Sequence, residues 1–182
     1  MGGATATDAS GHRTGPLCDD RPVTDAPEDI ADLIAAVQDQ ERRLVLEHFT
    51  HDDAWALGSL VVGLARDRGL SVTVDITRGQ QQLFHSALAG TAAHNDVWIA
   101  RKVATVRELG TSSFLAGLQA RARGEAFEDA PWIDATRMAG HGGAFPITVA
   151  GAGVVGTLTV SGLPQAEDHA LAVEALELFL AR

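Results

Sequence analysis

Asp168 and His169 are adjacent titratable residues inside the apolar arc of a helix-like segment near the end of the sequence. A carboxylate can orient an imidazole and raise its basicity, the arrangement of a general acid–base pair. Adjacent helical residues project about 100° apart, so the two are expected to serve different partners. Asp168 can also simply complement the positive end of its own helix, and a structural role stays open for both.

A second group is Asn95, Trp98, Arg101 and Lys102. At helical spacing Trp98, Lys102 and Thr105 share a stripe, with Arg101 beside it and an Ile99–Val103–Val106 core face turned away. An aromatic plane next to two cations can hold an anionic, carboxylate-bearing ligand by stacking and charge-assisted hydrogen bonds. The competing expectation is a solvated face with Trp98 at a subunit contact. A third group is His141-Gly142-Gly143, just before a strand-like run that begins Ala144-Phe145. Paired glycines permit positive φ or close backbone approach, and exposed amides in such a turn bind an anion or oxyanion. A plain connector is equally open. His141 adds a proton donor or metal ligand.

Other chemistries lack their signatures. His48, His51, His85 and His94 form no HxH or HExxH arrangement, so no metal site is specified. Gly151-Ala152-Gly153 lacks the downstream glycine and lysine of a phosphate-binding loop. The surroundings of Ser161-Gly162 do not fit a nucleophile elbow.

The elements that must position these groups can be read from periodicity. Residues 1 to 26 are rich in Gly, Ala, Thr, Asp and Pro without apolar period, as expected for a disordered tail that carries His12 and Cys18. A single folded domain is expected over 27–182. Ile30, Leu33, Ile34 and Val37 predict a helix from Pro27, and Leu44, Leu46 and His48 a strand, with a longer first helix as the alternative. Thr50 or Asp52 can cap a helix through Leu57, Leu60, Val61 and Leu64 that ends at Gly69. Val72, Val74 and Ile76 predict a half-buried strand, with a return over Leu83 to Leu88. Asn95 or Asp96 can cap the Trp98 helix, and Thr111, Ser112 or Ser113 the next. After a polar loop over 124–143 come a hairpin, Phe145 to Val149 with Val154 to Val160, and a last helix opened by Pro164. That helix carries two apolar stripes, so it is expected to be buried twice, the second time against another subunit. The order is that of an α+β sheet with helices on its faces.

Composition excludes several functions. A formal net charge of −10 argues against nucleic acid and against an anionic membrane surface. One cysteine, Cys18, permits no internal disulfide. No apolar run is long enough to span a bilayer, and the first residues lack a secretory pattern, so a cytoplasmic location is expected.

Three motifs, in order, carry a family likeness: Asn95-Asp96-Val97-Trp98-Ile99-Ala100-Arg101-Lys102, Gly142-Gly143-Ala144-Phe145-Pro146-Ile147, and Val160-Ser161-Gly162-Leu163-Pro164 with Asp168-His169. Over residues 28 to 182 the chain resembles the haem-degrading-domain (GlcG-like) superfamily, and within it a branch shared by bacteria and yeast. The resemblance implies a profilin-like α+β fold with a five-stranded antiparallel sheet flanked by helices. It also implies homo-oligomers, and in some relatives haem binding or claimed haem degradation; the yeast member is linked to tail-anchored protein targeting.

The leading expectation is therefore a homo-oligomeric protein that binds haem, another tetrapyrrole or a small anionic ligand near a subunit interface. Asn95, Trp98, Arg101, Lys102, Gly142, Gly143 and Phe145 would form the pocket, with Arg101 and Lys102 meeting propionates. If it is an enzyme, His141 or His169 is the acid–base group, Asp168 the orienter, and the Gly142-Gly143 amides stabilise developing negative charge. Two alternatives stand beside it: a non-enzymatic assembly or chaperone-cofactor module, and a specialised metabolic enzyme using histidine acid–base catalysis.

Overall fold

The computed structural model describes residues 27–182. The expected disordered tail, with His12 and Cys18, lies outside the described residues. The elements are α1 (Pro27–Arg43), β1 (Val45–Leu46), α2 (His51–Asp67), β2 (Thr73–Arg78), β3 (Gln81–Ala87), α3 (Ala93–Leu109), α4 (Ser113–Ala122), a 3₁₀ turn (Phe127–Asp129), β4 (Ala144–Val149), β5 (Gly153–Ser161) and α5 (Gln165–Leu180). The fold is α+β, one five-stranded sheet in the order β1-β4-β5-β2-β3.

The sheet is mixed, which corrects the expectation of a purely antiparallel one. Antiparallel pairing holds β2 to β3 and to β5, and β4 to β5. The two residues of β1 run parallel to β4, Val45 opposite Thr148 and Leu46 opposite Val149. A hairpin would require β1 to turn straight back on its neighbour. Instead it leads into α2, whose start is fixed by a capping box at Thr50: Thr50 Oγ1 accepts from the Asp53 N–H at 3.2 Å, and the Asp53 carboxylate accepts from the Thr50 N–H at 2.7 Å.

The two faces of the sheet differ chemically because strand side chains alternate. Val74 and Ile76 of β2, Leu158 and Val160 of β5, and Phe145 and Ile147 of β4 join Leu57 and Val61 of α2 and Leu171, Ala175 and Leu176 of α5 in the main core. The alternate residues Thr73, Asp75, Thr77, Thr157, Thr159 and Ser161 are buried as well. β2 is thus not half-buried as expected: α2 covers its apolar face, and α3 packs on the polar one.

Three further expectations change in detail. The N-cap of α3 is Ala92; Asn95 sits a turn later and reaches back, its Oδ1 accepting from the Ala92 N–H at 2.9 Å. The Trp98–Lys102–Thr105 stripe is not a solvated face, since Lys102 and Thr105 are 3% and 0% exposed. A helix laid on a polar sheet face can bury polar residues of its own when each finds a partner, and Thr105 Oγ1 donates to Ala139 O at 3.0 Å. Both apolar stripes of α5 are used largely within the chain: Leu171, Ala175 and Leu176 enter the core, and Val173 is 5% exposed, while Leu178 and Leu180 stay open at the helix end.

Candidate functional site

Three distant segments meet at one hollow of about 410 Å³. The first turns of α3 supply His94, Asn95, Trp98 and Lys102; the turn before β4 supplies His141; the end of β5 and start of α5 supply Ser161 to Leu163, Gln165 and Asp168. Helical spacing puts His94, Trp98 and Lys102 on one ridge. Trp98 Nε1 donates to His94 Nε2 at 2.9 Å, and the Trp98 and His141 rings meet edge to face with centroids 5.0 Å apart. Asn95 Nδ2 donates to Ser161 O at 3.2 Å and ties α3 to the end of β5.

The floor is an ion pair. Lys102 Nζ donates to Asp168 Oδ2 at 2.8 Å and to Val160 O at 3.1 Å, and the Leu163 N–H donates to Asp168 Oδ1 at 3.0 Å. Both side chains are almost wholly buried. Burial pushes the Lys102 ammonium down and the Asp168 carboxyl up from their ordinary ranges, while their mutual attraction opposes both changes. Gly143, at φ +125°, makes room for the pair: a Cβ there would collide with the Val160 carbonyl and lie 2.7 Å from Lys102 Nζ.

The surroundings of His141 disfavour its charged form. Burial lowers its pKa first; Lys102 and Arg101 add to the effect, and Glu128 opposes it. Its Nδ1 is buried and faces Glu128 Oε1 at 3.4 Å, without a formed hydrogen bond. Glu128 is itself fixed by the Gly140 N–H at 3.1 Å.

Other candidates lie elsewhere. Arg101 stacks its guanidinium over Trp98, 4.7 Å from the ring centroid, and donates to Ala135 O at 2.7 Å and Met138 O at 3.2 Å. The Gly142 N–H is committed to Gln165 Oε1 at 3.3 Å. Asp168 and His169 do diverge: His169 is 4% exposed and packs on Phe114 and Phe145 at ring distances of 4.8 and 5.7 Å, outside the hollow. Its Nε2 donates to Gln40 Oε1 at 2.9 Å, its Nδ1 has no partner, and burial depresses its pKa to about 4. Phe145 is a core residue, 1% exposed.

Sequence reasoning missed His94, Gln165 and Glu128. The four-residue spacing of His94 and Trp98 was a usable signal; nothing local marks Gln165 or Glu128. Among the described residues no group of three or more His, Cys, Asp or Glu could hold a metal ion, and no helix is long and apolar enough to cross a membrane.

The family described as haem degrading protein, HbpS-like, matches residues 49–177. The chain belongs to this HbpS-like family. All three motif segments lie inside the matched stretch. A UPF0303 protein of Streptomyces avermitilis is 60% identical over 149 residues, 82% of this chain and 91% of that protein. One from Burkholderia cenocepacia is 43% identical over 148 residues, 81% and 90% of the two chains. The crystal structure of the Ybr137w protein superposes with a TM-score of 0.75 at 33% identity, covering 81% of this chain and 87% of that one. A PduOC:heme complex shares the fold, with a TM-score of 0.59 at 17% identity over 71% of this chain and 93% of that one.

Proposed function

We propose that the hollow beneath Trp98 binds a small planar ligand, a tetrapyrrole included, and that His141 is the ring that meets it. The edge-to-face packing of Trp98 and His141, brought together from segments 43 residues apart in sequence numbering, carries this reading. A volume of about 410 Å³ falls in the range of small-molecule sites. One relative in fold, PduOC, is a complex with haem, and a neutral imidazole with Nδ1 turned toward a carboxylate is suited to ligate iron through Nε2. When bound, haem would supply redox and oxygen chemistry. This chain's part would be the His141 ligand, its orientation by Glu128, and the Trp98 wall.

The floor of the hollow is charge-compensated. Lys102 is balanced by Asp168, and Arg101 commits Nη2 to backbone carbonyls while its buried Nε has no partner among the described residues. Titration of the purified protein with haemin should give a saturable Soret shift near one equivalent, reduced at least about tenfold in affinity by His141→Ala. No shift removes the tetrapyrrole; an unchanged titration of the variant removes His141 from the site.

A second reading concerns assembly with further copies of this chain. β3 is an outer strand of the sheet, and its sequence, QQLFHSA, has neither proline nor lysine to blunt the edge. Trp55 beside it is 68% exposed and packs edge to face on Phe84 of β3. Antiparallel pairing of two β3 edges would bury both features.

A further inference from the structure

Of the fourteen Lys and Arg residues in this chain, thirteen are arginine; Lys102 is the only lysine. Among the described residues no arginine is buried, whereas Lys102 is 3% exposed and forms part of the floor of the hollow. Surface positions that need positive charge are thus served by the guanidinium, and the one amine stands where a ligand would arrive. A buried ion pair is a poor stabiliser beside an apolar pair of similar volume, so fold stability does not by itself account for an amine at this place. Nζ is bonded to Asp168 Oδ2 and Val160 O, which leaves one of its three N–H groups uncommitted.

We propose that Lys102 is a reactive amine that takes a small aldehyde or ketone as an imine, with Asp168 relaying the protons. The proposal rests on reading the hollow as a ligand site. The ammonium first transfers a proton along the 2.8 Å hydrogen bond to Asp168. The freed Nζ lone pair attacks the carbonyl carbon; a C–N bond forms, the carbonyl π electrons move to oxygen, and that oxygen takes the proton from Asp168. Asp168 then removes a proton from the nitrogen of the carbinolamine and returns it to the hydroxyl. The C–O bond breaks, water leaves, and an iminium remains; nothing is oxidised or reduced. Trp98 and His141 form the wall that would accept an apolar or aromatic substituent on the carbonyl compound. Desolvation of the ammonium raises the share of free amine at neutral pH.

Because the chain has one lysine, the test is unambiguous. Purified protein is incubated with benzaldehyde, reduced with borohydride and mapped by peptide mass. The expected result is a single benzyl adduct on the peptide carrying Lys102, saturating with aldehyde concentration. Asp168→Asn should form it at least about tenfold more slowly. Labelling confined to the N-terminal amine overturns the proposal, and equal rates in the variant overturn the role of Asp168. Haemin titration separates the two readings. A Soret shift without a Lys102 adduct leaves the hollow as a ligand site and removes the imine; absence of both removes the tetrapyrrole and the imine.

Discussion

Burial disfavours the charged form of both His169 and His141, yet they stand in different surroundings and have different consequences. His169 has no charged neighbour to offset its desolvation, and its pKa falls from 6.5 to about 4. A depressed folded-state value means that this contribution to stability is present above pH 6.5 and is lost as the pH falls toward 4. Between pH 7 and 4.5 it amounts to roughly 2 to 3 kcal/mol. Asp75, Asp168 and Glu41 are raised by burial and act in the opposite sense, favouring the fold at low pH. The variant comparison isolates the histidine: urea unfolding of His169→Gln should lose about that much less stability over the interval than the parent protein. A second residue-scale outcome concerns Gly143, whose φ of +125° and lack of space for a Cβ predict a cost of roughly 1–3 kcal/mol or more for Gly143→Ala. The thermal midpoint should fall by several degrees, with weakened ligand binding because Lys102 is displaced.

At the scale of elements, helix ends and strand alternation were legible, whereas partner faces were not. Residue type leaves Thr50 and Asp52 as caps of α2 and the structure selects Thr50; Thr50→Ala should lower stability by about 1 kcal/mol, read by chemical denaturation, since it disrupts the capping box. Ser112 likewise caps α4, with Leu115 N–H donating to its Oγ at 3.1 Å. The start of α3 was misplaced because Asn95 has the composition of a cap but acts from inside the helix. The polarity of the Trp98–Lys102–Thr105 stripe predicts solvent only if the facing surface is apolar. Thr73, Asp75, Thr157 and Thr159 make that surface polar, and a one-helix argument has no access to it. α5 teaches the converse: its two apolar stripes signalled double burial correctly, but most of the second partner was the same chain.

For the whole molecule, the convergence of α3, the turn at His141 and the start of α5 is the consequential feature. It unites Trp98, Lys102, His141 and Asp168 and excludes His169, although all five residues sit in or beside the motif segments. The sheet order places β5 between β4 and β2, so the end of β5 and the turn before β4 come up side by side under α3. The same order leaves β3 at the rim. If two copies pair there, Trp55→Glu should shift the mass measured by sedimentation to a smaller species while thermal unfolding changes little, because Trp55 lies 68% exposed. An unchanged mass would place any assembly on another face.

What the amino-acid sequence determined by itself was local: the hairpins at Gly79 and Gly151, the helix caps, the α+β order, the family motifs and the set of residues able to do chemistry. Periodicity and capping act over a few residues, so they are written where they act. The tertiary structure alone decided which of those residues share a cavity, that the Lys102 charge is cancelled by Asp168, and that Glu128 stands behind His141. Pairings across 66 and 13 positions of chain depend on how the sheet stacks its strands and on what α3 is laid against, and no local pattern encodes either.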